Sequence, residues 1–190
     1  MPPEDTLSPA ARQALLTLAR RAIEAAARQA PPPDCRPQDL PELDQHLGAF
    51  VTLHLRERLR GCIGSFLPDR PVWETVAEMA RSAAMSDPRF APLSERELPD
   101  VRIELSVLSP LERTDDPLSL ELGVHGIYIK NGWNSGTFLP QVATEHHMTK
   151  EQFLSDCCAH KAGLAPDAWK DPDTDVYLYT AQIFGEEPKT

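Results

Sequence analysis

A five-residue motif that occurs twice constrains the fold of this chain more than any other feature. Residues 64–68 read Gly-Ser-Phe-Leu-Pro, and residues 136–140 read Gly-Thr-Phe-Leu-Pro, 72 positions further on. Each copy lies where the second strand of a predicted hairpin leads into a predicted helix, and a further strand follows each helix. We therefore predict that one hairpin–helix–strand unit is present twice.

The spacing of apolar residues predicts the elements of both units. After Ser8 and Pro9, which are typical of a helix start, apolar residues recur with the period of a helix of about 20 residues. Strict alternation predicts strands, and Asn131-Gly132 predicts a tight turn between two of them. The predicted strands cover residues 48–55, 59–66, 101–108, 124–130, 134–139 and 176–184, and further helices follow Pro71, Pro140 and Thr149.

Length and composition indicate one domain in the cytoplasm. The chain has 190 residues, 41% of them hydrophobic, and we predict a domain over residues 8–186 with flexible tails at residues 1–7 and 187–190. A net charge of −10 argues against nucleic acid as a partner. Neither a run long enough to span a membrane nor a secretory signal is visible in the sequence, so we expect no membrane partner.

The cysteines do not have the spacing of a metal site. In the cytoplasm they are expected to be reduced, and none forms a Cys-x-x-Cys pair, so we predict no metal ligand and no cofactor. Adjacent residues on a helix point in different directions, which argues against His146-His147 and Cys157-Cys158 as metal ligands. The four cysteines are Cys35, Cys62, Cys157 and Cys158.

Residues 59–66, Leu-Arg-Gly-Cys-Ile-Gly-Ser-Phe, combine a thiol, a guanidinium and two glycines. Alternation along this strand predicts Arg60 and Cys62 on one face, where both can meet the same ligand, and Leu59 on the other. Cys62 is either a nucleophilic or redox thiol in an electropositive setting, or a small side chain that fills the core. Gly61 and Gly64 either present backbone amides to an anion or allow the strand to bulge.

Three other charged or polar residues have two interpretations each. Arg60 either holds a carboxylate or phosphate of a ligand or pairs with Glu104 on a neighbouring strand. Arg89 is either a clamp on an acidic ligand or part of an ion pair, and we favour the ion pair. His125 is either a proton carrier beside Cys62 or, as we favour, a hydrogen-bonded support of the turn at residues 123–126.

Several motifs in the same order resemble the AMMECR-one domain (AMMECR1) family. The resemblance implies an α+β fold in which the two repeats surround a single, mostly antiparallel, barrel-like sheet flanked by helices. The activity of that family is not established, so the resemblance does not predict a reaction. The motifs are Leu-Arg-Gly-Cys-Ile-Gly at residues 59–64, Asp-Pro-Arg-Phe at 87–90, Ile-Glu-Leu-Ser-Val-Leu at 103–108, Gly-Val-His-Gly-Ile at 123–127 and Phe-Leu-Pro-Gln-Val-Ala at 138–143.

The resemblance also implies two partner proteins, and this chain differs from its relatives at Asn134. Bacterial members resemble protein A of a three-part system that includes a Memo-like protein and a radical-SAM enzyme, which would make those two proteins partners. Relatives usually carry an arginine where this chain has Asn134, the counterpart of Cys62 in the second repeat.

From these observations we predict either a small-molecule-binding site or the active site of an enzyme, centred on Cys62 in a cleft between the repeats. His125 is its predicted proton carrier. The alternative is a non-catalytic interaction module, in which Arg60 and Phe66 dock a partner protein. The predicted substrate-binding residues are Arg60, Gly61, Gly64, Arg89 and Asn134.

Overall fold

The structure is a computed structural model, and it describes residues 7–31, 36–37, 39–66 and 69–187. Cys35, most of the two predicted tails and the last two residues of the first motif copy lie outside the described residues.

Contacts divide the chain into two compact units. The first unit takes the chain up to Leu108 together with the segment from Gln182 onward, and the second takes Ser109–Ala181. The prediction of a single domain over residues 8–186 stays a prediction.

Strands and helices follow one another in an α+β order. Among the described residues, no helix combines the length and the apolarity that crossing a bilayer requires. The α-helices are α1 (Pro9–Ala27), α2 (Val72–Met85), α3 (Pro140–Glu145) and α4 (Lys150–Cys157). Short 3₁₀ helices cover Pro41–Asp44, Glu95–Asp100, Pro117–Ser119 and Ala168–Lys170, and a π-helical turn covers Cys158–Ala162. The strands are β1 (Ala49–Leu55), β2 (Arg58–Ser65), β3 (Val101–Leu108), β4 (Glu112–Thr114), β5 (Gly126–Asn131), β6 (Asn134–Phe138), β7 (Asp175–Tyr179) and β8 (Ala181–Gly185).

Helix α1 begins as the sequence predicts. The Ser8 hydroxyl accepts a hydrogen bond from the backbone N–H of Ala11 at 3.2 Å, and Pro9 occupies the first turn, where a missing N–H costs nothing. Leu7, at the end of the predicted tail, is fully buried, and its own N–H donates to Gln182 Oε1. The ordered core of the first unit therefore includes the residue before the cap.

The first unit contains a four-stranded sheet in the order β2-β1-β3-β8. Strand β1 pairs antiparallel with both β2 and β3. Val51 and Leu53 on one face of β1 are buried in a core shared with α1 and α2. The other face carries Thr52 and His54, which are half-buried. Cys62 lies opposite Thr52, so its thiol is on this second face of the sheet.

A register shift interrupts the first hairpin and changes which side chains share a face. Pairing moves from Gly61 opposite Leu53 to Leu59 opposite His54, which leaves Arg60 as the extra residue of a β-bulge. The uninterrupted alternation predicted for this strand is therefore wrong at Arg60. Leu59 lies in line with His54 and is 43% exposed.

The second unit contains a four-stranded sheet in the order β4-β7-β5-β6. Its hairpin turns tightly at Gly132, which has a φ of +57°, as the Asn-Gly signal predicts. Helix α4 has the predicted capping box, in which Thr149 and Gln152 each accept from the other's backbone N–H. Gly163 ends this helical segment in the left-handed conformation.

The two sheets share one pairing pattern. In each, the first strand of the hairpin lies between its partner and the strand that follows the helices, giving β2-β1-β3 and β6-β5-β7. The predicted duplication of a hairpin–helix–strand unit is confirmed. The single barrel-like sheet is wrong, because the described strands form two separate sheets of four.

The predicted last strand over residues 176–184 is in fact two strands in different sheets. Strand β7 ends at Tyr179 in the second sheet, and β8 begins at Ala181 in the first. At the break, the N–H of Thr180 donates to Ser109 Oγ, and the N–H of Ser109 donates to the Thr180 carbonyl. The short strand β4, within a segment predicted as turns, was not visible in the sequence pattern.

Candidate functional site

The thiol of Cys62 is partly exposed on the face of the first sheet that points away from the helices. Thr52 lies directly opposite on β1, and its hydroxyl is 3.3 Å from the Cys62 sulfur, to which it donates a hydrogen bond. Glu104 pairs with the other side of Thr52, so the row across the sheet reads cysteine, threonine, glutamate.

A buried carboxylate holds the backbone at the thiol. Helix α2 ends at Met85, and the chain turns at once to bring Asp87 against β2. Asp87 Oδ2 accepts the backbone N–H of Cys62 at 2.8 Å, and Oδ1 accepts the N–H of Arg89 at 3.1 Å. The side chain of Asp87 is 2% exposed. The cap on local amides expected of an aspartate in such a turn is therefore present, and it reaches the site strand.

The same carboxylate fixes the guanidinium of Arg89. Arg89 Nε donates to Asp87 Oδ1 at 3.0 Å and Nη2 donates to Oδ2 at 2.7 Å, a two-pronged pair. Nη2 also donates to the Cys62 carbonyl at 3.2 Å. Nη1 has no hydrogen-bond partner among the described residues, and the side chain is 53% exposed. The ion pair that we favoured for Arg89 therefore leaves one edge of its guanidinium open to a ligand.

The opposite charges of Asp87 and Arg89 stabilise each other. The hydrogen bond from Arg89 holds the pKa of Asp87 well below its usual range, against the effect of burial, and the backbone N–H groups of Cys62 and Arg89 add to it. The pKa of Arg89 is raised, first by its hydrogen bond to Asp87, and charge on Cys62 raises it further. The sulfur and the guanidinium are thus close enough to interact electrostatically.

Arg60 forms an ion pair with Glu97 and takes no part in the group formed by Cys62, Asp87 and Arg89. Its Nε donates to Glu97 Oε1 at 2.8 Å, and the Arg60 side chain is 13% exposed. This hydrogen bond, opposed by burial and helped by Ser94, lowers the pKa of Glu97 to about 2. The suggested pairing with Glu104 is wrong, because β1 separates β2 from β3. Arg60 therefore stabilises the 3₁₀ helix that precedes β3.

A phenylalanine ring lies between the two arginines of this region. The guanidinium carbon of Arg89 is 5.5 Å from the centre of the Phe90 ring, and that of Arg60 is 5.9 Å away. Both distances are in the range of cation–π attraction. Phe90 thereby links the open guanidinium of Arg89 to the enclosed one of Arg60.

The two glycines of the motif make room for their neighbours. A Cβ at Gly61 would lie 2.2 Å from the carbonyl oxygen of Ala83, and one at Gly64 would lie 2.2 Å from the Phe50 ring. Gly61 is therefore required where β2 crosses the backbone of α2, and Gly64 lies under an aromatic ring. Close packing is thus a role of both glycines that the sequence did not suggest, and their binding of an anion stays a prediction.

The other two predicted site residues belong to the second unit. His125 precedes β5, and its Nδ1 accepts the backbone N–H of Glu121 at 2.9 Å. The ring thus supports the turn that we associated with it, and its role as a proton carrier stays a prediction. Asn134 is exposed at the start of β6, and its role in binding also stays a prediction.

Neighbouring cysteines in the second unit are enclosed by its core. Cys157 and Cys158 are fully buried, and burial raises the pKa of both thiols. Within the described part of the chain, no three His, Cys, Asp or Glu side chains come together as a metal site would require. Cys62 therefore differs from these two cysteines in its exposure and in its charged neighbour.

The chain has an α+β fold in which a hairpin pairs with a third strand in each of two sheets. Cys62, Asp87 and Arg89 lie together at the first of these sheets. This fold and this group of side chains together define a class of protein. The AMMECR1 family model matches residues 16–184, and the chain belongs to this family.

Archaeal proteins are among the relatives that this chain matches. A protein of Methanothermobacter thermautotrophicus is 46% identical over 158 residues, which are 80% of this chain and 82% of the relative. One from Thermococcus onnurineus is 45% identical over 91% of this chain and 89% of its own length. The crystal structure of the uncharacterised Pyrococcus horikoshii protein PH0010 has a TM-score of 0.85 and 38% identity, and the match covers 96% of this chain and 95% of that one.

Proposed function

We propose that the protein binds a small molecule that carries a carboxylate or a phosphate beside Cys62, and that the thiol is the reactive group of this site. The observation that carries the proposal is the dual role of Asp87. One buried carboxylate holds the backbone at the partly exposed sulfur and also holds a guanidinium whose outer edge is open.

The assignment of roles follows from these contacts. Arg89 offers Nη1 to an anionic group of the ligand, and Thr52 donates a hydrogen bond to the sulfur and orients it. Asp87 neutralises much of the Arg89 charge, so Arg89 acts chiefly through a directed N–H donor. Asp87 is a positioning residue because it touches only the backbone of Cys62 and the side chain and backbone of Arg89.

The alternative of a non-catalytic docking module receives less support. It relied on Arg60 and Phe66 as anchors. Arg60 is enclosed and bound to Glu97, and the Phe66 ring packs edge-on against Phe50. The partnership with a Memo-like protein and a radical-SAM enzyme stays a prediction of the family resemblance. Neither partner is needed for the experiment that follows.

Alkylation of the native protein by an anionic and a neutral reagent tests the proposal. Iodoacetate and iodoacetamide both form an S–C bond with loss of iodide, and peptide mass spectrometry assigns the product to each cysteine. We expect Cys62, which is partly exposed, to react faster than Cys157 and Cys158, which are fully buried. We also expect the ratio of the iodoacetate rate to the iodoacetamide rate to exceed that of the unfolded chain severalfold.

Two variants test whether the preference of Cys62 for iodoacetate comes from contact of the reagent with Arg89. Arg89→Met should reduce the preference for iodoacetate to that of the unfolded chain, whereas Arg81→Met, which removes an exposed arginine on α2, should leave it unchanged. An inert Cys62, or a preference that survives in Arg89→Met, would refute the proposal.

A further inference from the structure

Strand β2 forms one edge of the first sheet, and its outward backbone groups are already occupied at Cys62. The order of the sheet places β1 on the inner side of β2 and no strand on its outer side. The backbone N–H of Cys62 donates to Asp87 Oδ2 at 2.8 Å, and the Cys62 carbonyl accepts from Arg89 Nη2 at 3.2 Å. Both backbone groups of Cys62 therefore point away from β1, and the Asp87–Arg89 pair takes the place that a neighbouring strand would have.

Gly64 presents the same two backbone groups to the open edge. Residues of an antiparallel pair alternate between bonding to the partner strand and pointing away from it, so residues two positions apart point the same way. Gly64 lies opposite Phe50 on β1, as Cys62 lies opposite Thr52 two positions away. No partner of the Gly64 N–H or carbonyl is found among the described residues, and Gly64 is partly exposed. An unpaired donor and acceptor on a strand edge is a template for an added strand.

The position of Arg89 determines how such a strand would run and where it would end. A segment antiparallel to β2 donates its N–H to the Gly64 carbonyl, and its own carbonyl group accepts from the Gly64 N–H on the side towards Cys62. Asp87 and Arg89 occupy the next position along the edge, so the added chain ends there. Nη1 of Arg89, which has no hydrogen-bond partner among the described residues, lies at this end. A chain that ends in a carboxylate therefore matches the edge in charge as well as in hydrogen bonding.

We infer that this edge binds the C-terminal residue of a peptide. The backbone of that residue pairs antiparallel with Gly64, and its carboxylate accepts from the Gly64 N–H and from Arg89 Nη1. Cys62 and Gly64 share one face of β2, so the side chain of the bound residue projects on the face of the thiol, beside the Phe50 ring that covers Gly64. The ring favours an apolar side chain. The inference rests on the proposed function, because it names the class of ligand for the same site.

Nuclear magnetic resonance of the full-length, ¹⁵N-labelled protein tests the inference with three N-acetylated tripeptides of glycine, alanine and leucine in that order. The first has a free C-terminal carboxylate and the second a C-terminal amide. The third has a free carboxylate and a methyl group on the leucine nitrogen, which removes the N–H that donates to the Gly64 carbonyl. We expect the first peptide to give saturable shifts of the backbone amides of Gly64 and Arg89. The other two should bind at least fivefold more weakly, because each lacks one of these contacts.

A variant then assigns the carboxylate to Arg89. Arg89→Met should remove the preference for the free carboxylate over the amide, whereas Arg81→Met, which removes an exposed arginine on α2, should retain it. The three peptides are compared on the unaltered protein, so they test the inference even if Arg89→Met fails to fold. The absence of saturable shifts, shifts located away from β2, or equally tight binding of the amide or of the N-methylated peptide would each overturn the inference.

The alkylation experiment distinguishes a failure of this inference from a failure of the proposed function. If Cys62 prefers iodoacetate in an Arg89-dependent manner and the peptides do not bind, the peptide ligand alone is overturned. If the first peptide binds at Gly64 and Cys62 is inert, the inference is supported and the reactive thiol is refuted.

Discussion

At the scale of single residues, Asp87 is the side chain on which the candidate site depends. It accepts four hydrogen bonds, two from backbone N–H groups and two from the Arg89 guanidinium, while almost completely buried. Replacing it leaves the amide of Cys62 without its partner and releases Arg89 from the position beside the sulfur. Stability and thiol reactivity are therefore expected to change together.

Replacement of Asp87 by alanine should destabilise the protein. We expect Asp87→Ala to lower the free energy of unfolding by about 2–3 kcal/mol, since the backbone N–H groups of Cys62 and Arg89 lose their acceptor. Asp100→Ala is a control, because Asp100 is 58% exposed and pairs loosely, so its loss should cost less than about 1 kcal/mol. Urea unfolding measures both. Equal losses in the two variants would contradict the role given to Asp87.

The ion pair of Glu97 makes stability depend on acid pH. The folded-state pKa of Glu97 is lowered from 4.5 to about 2, chiefly by Arg60, so the folded state favours the charged carboxylate. Its contribution is therefore present above the unfolded pKa and is lost as the pH falls from about 4.5 towards 2. Solvent screens this partly open pair, and we expect a contribution of about 1–2 kcal/mol.

The variant Glu97→Gln isolates this contribution. Its free energy of unfolding should fall less than that of the unaltered protein between pH 5 and pH 2, because the titrating group has been removed. Asp87 titrates in the same direction in both proteins and cancels in the comparison. Urea unfolding at several pH values measures the difference, and parallel pH profiles would show that Glu97 does not carry it.

At the scale of secondary-structure elements, the contact of β2 with α2 determines which residue can precede the thiol. A methyl group at Gly61 would meet the backbone of Ala83, which cannot rotate away, whereas one at Gly64 would meet the ring of Phe50, which can. We expect Gly61→Ala to lower the free energy of unfolding by about 3 kcal/mol and Gly64→Ala by distinctly less. Thermal and urea unfolding compare them, and the reverse order would show that the helix yields more easily than the ring.

The elements that were predictable from the sequence are those set by local spacing. The start of α1 at Ser8 and Pro9 and the capping box at Thr149 and Gln152 depend on residues within one turn. The bulge at Arg60 was not predictable, because a register shift involves the partner strand and leaves the alternation of β2 unchanged in the sequence.

For the candidate site, the sequence identified the motif but not its partners. Cys62 and Arg89 were visible as residue types in distinctive motifs, and Asp87 was visible as the first residue of the Asp-Pro-Arg-Phe motif. The contacts that give them chemistry run between Cys62 and residues 10 and 25 positions away in the chain. Arg60 was misread for the same reason, since its partner Glu97 is 37 positions away, beyond helix α2.

At the scale of the whole molecule, the strand that follows each repeat in the chain joins the sheet of the other repeat. Strand β4 follows β3 in the chain and pairs with β7, whereas β8 follows β7 and is the neighbour of β3. The sequence of residues 176–184 has the pattern of one uninterrupted strand, so it does not show that β7 and β8 belong to different sheets. Which sheet a strand joins depends on partner residues far away in the chain. Beyond β8, Glu186 accepts the backbone N–H of Ile103 and pairs with Arg20 of α1.

The exchange predicts different behaviour for the two units when they are separated. All four strands of the second sheet and its core lie within Ser109–Ala181, so this fragment should fold alone. A fragment that ends at Leu108 lacks β8 and Glu186, which leaves an unpaired edge on β3 and the Arg20 charge without its carboxylate. We expect it to stay largely unfolded until a peptide of residues 181–190 is added. Circular dichroism and amide exchange measure the folding of both fragments. A stable fragment ending at Leu108 would contradict the dependence of the first unit on β8, and an unfolded Ser109–Ala181 would contradict the independence of the second unit.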